Sequence, residues 1–106
     1  MSSAEERRIT TRVGLMTEVS VDHGSGPIPL TTLDLSVTRI SLWSTNPAPT
    51  GALTVELPLE GRNLSLHGRV VREFTSDGGS VWGIEFFGTD HRTQGALASY
   101  IATASA

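Results

Sequence analysis

The feature that most limits how this chain folds is a succession of short strand-like segments divided by turn residues. Several of them alternate apolar and polar residues, and a period of two is typical of a strand with one buried face. The segments comprise residues 12–21, 28–35, 39–44, 52–58, 63–74 and 80–87. Six short strands in a chain of 106 residues predict one domain with a single modest core.

Turn and bend signals within this pattern favour an antiparallel sheet that closes on itself. Residues 76–79 read Ser-Asp-Gly-Gly, which indicates a tight hairpin turn. Gly68, inside the long segment 63–74, indicates a bulge or a bend such as barrel corners require. The residues of that segment expected to share one face are Leu64, Leu66, Val70 and Phe74. We therefore expect a small six-stranded antiparallel β-barrel.

The end of the chain follows a different period. Leu97, Tyr100, Ile101 and Ala104 recur at the spacing of one helical face. Thr89 or Asp90 is able to cap the first turn. The fold class predicted is thus all-β with a C-terminal helix, which covers about residues 89–103 and lies across an opening of the barrel.

Charge and composition exclude several classes of function. The net charge is −3, which argues against a partner that is a nucleic acid polymer. The chain has no cysteine, so disulfides, thiolate metal sites and thiol nucleophiles are excluded. It shows no secretory signal and no apolar run long enough to insert in a membrane, so a cytoplasmic location is expected. All eight basic residues are arginine, the side chain suited to planar, two-pronged recognition of phosphate or guanine.

Two polar clusters are candidates for a binding site. Arg7, Arg8 and Arg12 form a basic segment ahead of the first strand, and they are either solvated charges or an arm that folds over an anionic ligand. Asp34 and Ser36 stand two apart, so on a strand they point to the same face. They either bond locally to backbone or bind a ligand, since a carboxylate can accept from the N1–H and N2–H2 groups of guanine.

Taken together, these residues resemble the PilZ domain, a bacterial receptor module for the second messenger cyclic di-GMP. That family carries R-x-x-x-R before its first strand, [D/N]-x-S-x-x-G on the barrel surface and G-[VI]-x-F before its final helix. Arg8 and Arg12 match the first motif, Asp34 and Ser36 the second, and residues 83–86 the third. The resemblance covers roughly residues 5–103.

The resemblance implies a PilZ-like barrel over residues 13–106, preceded by a flexible arginine arm at residues 1–12. It implies a receptor for cyclic di-GMP that is not an enzyme, needs no cofactor and changes shape on binding. The signal would pass to an unidentified effector protein, or act through self-association. The residues expected to contact the dinucleotide are Arg7, Arg8, Arg12, Asp34, Ser36 and Arg39.

Arg39 is the one departure from the family motifs, because it stands where the pattern has glycine. A long side chain there either blocks the site or swings out to bind a phosphate. The alternative function is therefore a degenerate PilZ-like adaptor that no longer binds the nucleotide. Enzyme functions are disfavoured because His23, His67 and His91 are scattered without metal-ligand spacing. No metal site is predicted.

Overall fold

The computed structural model describes residues 11–105 of the chain. Residues 1–10, which make up most of the predicted arm, lie outside this part, and so do Arg7 and Arg8. Within it the chain forms seven strands and one helix. The strands are β1 (Val13–Gly14), β2 (Glu18–Asp22), β3 (Pro27–Leu35), β4 (Arg39–Ser44), β5 (Ala52–Leu59), β6 (Arg62–Ser76) and β7 (Gly79–Phe86), and the helix is α1 (His91–Ala104).

Six of the strands form a closed antiparallel barrel. Their order is β3-β2-β5-β6-β7-β4, and pairing of β4 with β3 completes the ring, while β1 is a short extra strand on β3. The predicted six-stranded barrel with a C-terminal helix is confirmed. The hairpin between β6 and β7 is also as predicted, because Asp77 and Gly78 both have positive φ (48° and 78°), as a type I′ turn requires.

The segment predicted as one strand over residues 12–21 is divided into β1 and β2. Both parts pair with β3, but residues 15–17 between them leave the regular ladder. The fully buried Thr32 of β3 holds this irregular piece, since its hydroxyl accepts from the amide of Thr17 (2.9 Å) and also contacts the carbonyl oxygen of Leu15. The interruption matters for the site, because it lets β1 lie directly beside the end of β3.

The barrel interior is filled by the inward-facing side chains of all the longer strands. Trp82 is the largest of them and is 1% exposed, with its indole N–H donating to the carbonyl of Asn46 at 3.2 Å. Trp43 is half-buried on the outside of the barrel, where its indole N–H donates to the carbonyl of Ser76 at 3.2 Å.

Strand β6 contains a bulge, three residues beyond the glycine that was expected to mark one. The register with β7 shifts between Val70 and Arg72, so Val71 is the extra residue. The bulge changes which residues face outward: Phe74 pairs with Val81 on the outer face and is 51% exposed. The prediction that Phe74 shares the inner face is therefore wrong, because alternation does not survive an inserted residue.

Helix α1 packs against the barrel. Asp90 is its N-cap, with the carboxylate accepting from the amide of Thr93 at 2.8 Å. Leu97 and Ile101 are buried in the core cluster, as the helical periodicity predicted. In the part of the chain that the structure describes, no helix is long and apolar enough to cross a membrane.

Candidate functional site

A row of cross-strand partners on the outer face of the barrel has small residues in its middle. Asp34 of β3 pairs with Ser41 of β4, Ser41 pairs with Gly83 of β7, and Gly83 pairs with Arg72 of β6. Neighbouring strands lie about 4.8 Å apart, so the row covers roughly 14 Å of backbone, measured along the curved surface of the barrel. Because Ser41 has a small side chain and Gly83 has none, the row forms a trough with a carboxylate at one end and a guanidinium at the other.

This trough is part of a cavity of about 200 Å³ on the barrel surface, which we call the outer-face cavity. Its charged lining residues are Arg12, Asp34, Arg39 and Arg72, and its exposed apolar lining residues are Val71 and Phe74. Among the lining residues three arginines face one carboxylate. The cavity is thus positively charged although the whole chain carries −3, which suits an anionic ligand.

Strand β1 brings Arg12 into the cavity. Gly14 is the cross-strand partner of Asp34, and Arg12, two residues before Gly14, lies on the same side as in any extended chain. Arg12 and Asp34, 22 positions apart in sequence, therefore line one cavity. Within residues 11–105, the side chains of Arg12, Asp34 and Arg72 make no hydrogen bond or ion pair, so their polar groups are available to a ligand.

Ser36 does not line the outer-face cavity. It is 3% exposed, and its hydroxyl accepts from the amides of Arg39 (3.0 Å) and Thr38 (3.3 Å). The amide of Ser36 in turn donates to the carbonyl of Arg39 at 2.8 Å. The hydroxyl therefore fixes the turn from β3 to β4, which sets the positions of Asp34 before it and Arg39 after it.

Arg39 is the first residue of β4 and needs no special backbone conformation. Among described non-glycine residues, only Glu60 and Asp77 have positive φ, so the glycine of the family pattern is not demanded here by backbone geometry. The guanidinium pairs with Glu85 of β7, with 3.2 Å between Nη2 and Oε2, and both side chains are more than two-fifths exposed. An exposed pair of this kind contributes at most about 1 kcal/mol, so a ligand phosphate is able to displace it.

Arg72 and Phe74 were missed by sequence reasoning, because the bulge at Val71 determines their direction. The glycine of the third motif, Gly83, was the one sequence feature that pointed to Arg72. A side chain at Gly83 would put its Cβ atom 3.2 Å from the Cβ of Arg72, so glycine at this position lets Arg72 lie close over β7. Gly83 thereby keeps the floor of the trough low.

Glu73, between these two residues, is directed elsewhere. Its carboxylate accepts from the hydroxyl of Ser80 (2.7 Å) and from the amide of Ala48 (2.8 Å). These hydrogen bonds, that of Ser80 first, hold the pKa of Glu73 below its ordinary value. The carboxylate ties the loop after β4 to the sheet and does not compete for the arginines of the cavity.

The histidines lie away from the outer-face cavity. His67 stacks on Phe87, with ring centroids 6.4 Å apart, and its Nδ1 lies 3.3 Å from the hydroxyl of Thr54. Across residues 11–105 no three His, Asp or Glu side chains are grouped so that they could hold a metal ion.

Comparison with known structures gives three informative matches. The first is Bacillus subtilis inhibitor of motility (MotI/DgrA), with a TM-score of 0.76 and 18% identity over 99% of this chain and 56% of that one. The PilZ domain of CeSA from a cellulose-synthesizing bacterium matches with a TM-score of 0.62 and 19% identity, over 90% of this chain and 98% of that one. The PilZ domain of Escherichia coli YcgR, solved with c-di-GMP, matches with a TM-score of 0.67 and 10% identity, over 89% of this chain and 88% of that one.

At these identities the likeness concerns the fold, and this chain spans little more than half of the Bacillus protein. No curated protein sequence matches the chain. The family comparison is direct, however, since the model of the PilZ domain matches residues 6–103. With the closed barrel, the C-terminal helix and this match over nearly the whole sequence, the chain belongs to the PilZ domain family.

Proposed function

We propose that this protein is a receptor for cyclic di-GMP that binds the dinucleotide at the outer-face cavity. The observation that carries the proposal is that Arg12 and Asp34, from two separate motifs, line one cavity with their charged groups unpaired within the described residues. Membership of a family in which relatives are solved with c-di-GMP supports the same ligand. The role is binding and not catalysis.

In the proposed complex, each charged group has a chemical task. Asp34 accepts hydrogen bonds from the N1–H and N2–H2 groups of a guanine base. Arg12 donates to a phosphate or to guanine O6 and N7. Arg7 and Arg8, from the segment ahead of Arg12, add further donors, and Arg39 exchanges Glu85 for a phosphate oxygen. Ser36 acts through the turn that it fixes.

Several of these contacts are needed together. Micromolar binding requires a net free energy of about −8 kcal/mol, whereas one bidentate arginine–guanine pair contributes about 1–3 kcal/mol. Ordering the arm costs about 1–2 kcal/mol per residue. Ligand contacts made by Arg7 and Arg8 beside Arg12 would create a new surface, by which the signal passes in the cytoplasm to an effector protein or a second copy of the chain.

One observation favours a second function. Arg39 occupies the position of the family glycine and its side chain lines the cavity, as expected of an adaptor that has lost the nucleotide and acts through protein contacts. The exposed ion pair with Glu85 weakens this alternative. It holds the guanidinium of Arg39 beside β7, and a ligand phosphate is able to displace it.

Calorimetry tests the proposal. We expect the wild-type chain to bind cyclic di-GMP with micromolar affinity, and Arg8→Ala/Arg12→Ala and Asp34→Asn each to lose at least tenfold. Arg69→Ala/Arg92→Ala, on β6 and α1, and Asp77→Asn in the β6–β7 turn are matched controls that remove the same charges outside the cavity, and both should bind like the wild type. No heat at tens of micromolar, or equal losses in the controls, would contradict the proposal.

A further inference from the structure

We propose that Arg72 is a further guanine-reading residue and that Phe74 is the surface on which the base stacks. This inference rests on the proposed function and names a part of its site that lies outside the three motifs. It starts from the trough between Asp34 and Arg72, which runs over the two small residues Ser41 and Gly83.

The size of the cavity points to one base. Pockets that enclose a whole drug-sized ligand measure about 300–1,000 Å³, whereas the outer-face cavity has about 200 Å³. Three strand spacings separate the residues at the two ends of the trough, which is roughly 14 Å of backbone along the curved sheet. A short aspartate and a long arginine reach inward from those ends, and the space left between them suits a single flat heterocycle.

The two ends are complementary to opposite edges of guanine. Asp34 is an acceptor and suits the N1–H and N2–H2 donors. Arg72 is a forked donor and suits the O6 and N7 acceptors on the other edge. Adenine has an amino donor in place of O6 and lacks the N2 amine, so both ends of the trough select against it.

The apolar residues beside Arg72 decide between a base and a phosphate. Val71 is 45% exposed and Phe74 is 51% exposed, and both line the cavity on the same strand as Arg72. A phosphate gains nothing from an exposed aromatic ring, whereas a base stacked on it is stabilised substantially. The bulge in β6 is what turns this strand so that Arg72 and Phe74 both face the cavity.

The test is a cycle of two proteins and two ligands, measured by calorimetry. The ligands are cyclic di-GMP and its 7-deaza analogue, which lacks the N7 acceptor of guanine. We expect Arg72→Ala to weaken cyclic di-GMP binding about tenfold or more, and to weaken binding of the 7-deaza analogue clearly less. Phe74→Leu, which keeps apolar cover over Val81, should weaken both ligands several-fold because the aromatic face is lost.

Arg69→Ala is the matched control, since Arg69 is an exposed arginine on the same strand that does not line the cavity. It should bind both ligands as the wild type does. Equal losses for the two ligands in Arg72→Ala would mean a phosphate contact and overturn the base-reading role. The base-reading role would also be overturned if Arg72→Ala bound with wild-type affinity while Asp34→Asn lost binding. That result would leave the proposed function intact. Absence of binding by the wild type removes both proposals.

Discussion

Single residues of the outer-face cavity differ in what holds them in position. Arg39 and Glu85 are cross-strand partners as well as an ion pair, so the arginine is directed along the sheet. Asp34 has no such partner within the described residues. A charge that is already paired costs more to recruit than one that is free, and Arg39 is therefore expected to contribute less binding free energy than Asp34.

Replacing Arg39 with glycine measures this contribution. Because the residue has no positive φ and its ion pair is exposed, we expect Arg39→Gly to fold and to lose no more than about 1–2 kcal/mol of stability, from the ion pair and the added backbone freedom. Its affinity for cyclic di-GMP should change by less than tenfold. Calorimetry and urea unfolding provide the two measurements.

The opposite result would identify the adaptor. If the wild type does not bind and Arg39→Gly does, then the side chain blocks the site. Glu85→Gln is the companion variant, since it releases Arg39 without shortening it. Under the proposed function Glu85→Gln should bind at least as tightly as the wild type, because no ion pair has to be broken first.

Secondary-structure elements show which parts of this molecule can be predicted from sequence. Alternation and turn residues locate strands, so the predicted bounds of β4 match the observed Arg39–Ser44 and those of β5 differ by one residue. Register irregularities leave no such pattern. Neither the break at residues 15–17 nor the bulge at Val71 follows from periodicity, because both depend on how a closed barrel must twist.

The residues of the outer-face cavity likewise divide into those that sequence patterns locate and those that depend on a register irregularity. Arg12 and Asp34 belong to motifs that are visible in the sequence, and the structure brings them to one cavity. Arg72 and Phe74 join that cavity only because the bulge turns them outward. The buried hydroxyl of Ser36 accepts from the amide of Arg39, and its contact with the ligand stays a prediction.

Helix α1 contributes a pH-dependent element. Asp90 caps it by accepting from the amide of Thr93 at 2.8 Å, and this bond lowers the pKa of the carboxyl. A pKa that is lower in the folded chain means that the ionised form is favoured on folding. The stabilisation is complete above the ordinary aspartate value of about 3.9 and is lost as the pH falls through the lowered value.

Asp90→Asn isolates this contribution. Asparagine is also a good cap but does not titrate, so the variant should match the wild type in melting temperature at pH 7. Between about pH 4 and pH 2, where carboxyls protonate, it should lose less stability than the wild type. Asp90→Ala should melt lower at neutral pH. Melting temperatures are followed by circular dichroism. If those of the wild type and Asp90→Asn fell equally across the acid range, the pH-dependent role of Asp90 would be contradicted.

At the scale of the whole molecule, the barrel closes only if its strands approach each other tightly at certain points. Gly68 of β6 marks one of them. A Cβ atom there would lie 2.7 Å from the carbonyl oxygen of Glu85 and 2.7 Å from Cγ2 of Ile84. One contact is with backbone and the other with a fully buried side chain, so neither neighbour is free to move away.

Gly68→Ala should therefore disturb the barrel as a whole. We expect it to lose about 1–3 kcal/mol of unfolding free energy, as overpacked cores do. Gly95→Ala is the matched control: Gly95 lies within α1, where a Cβ atom would meet nothing within 4 Å, so alanine should stabilise the chain by about 0.4–1 kcal/mol. Urea unfolding at one pH measures both. Equal midpoints for Gly68→Ala and the wild type would mean that β6 and β7 separate easily. The close approach of Arg72 to Gly83 in the floor of the trough would then lose its support, because these residues face each other across the same two strands.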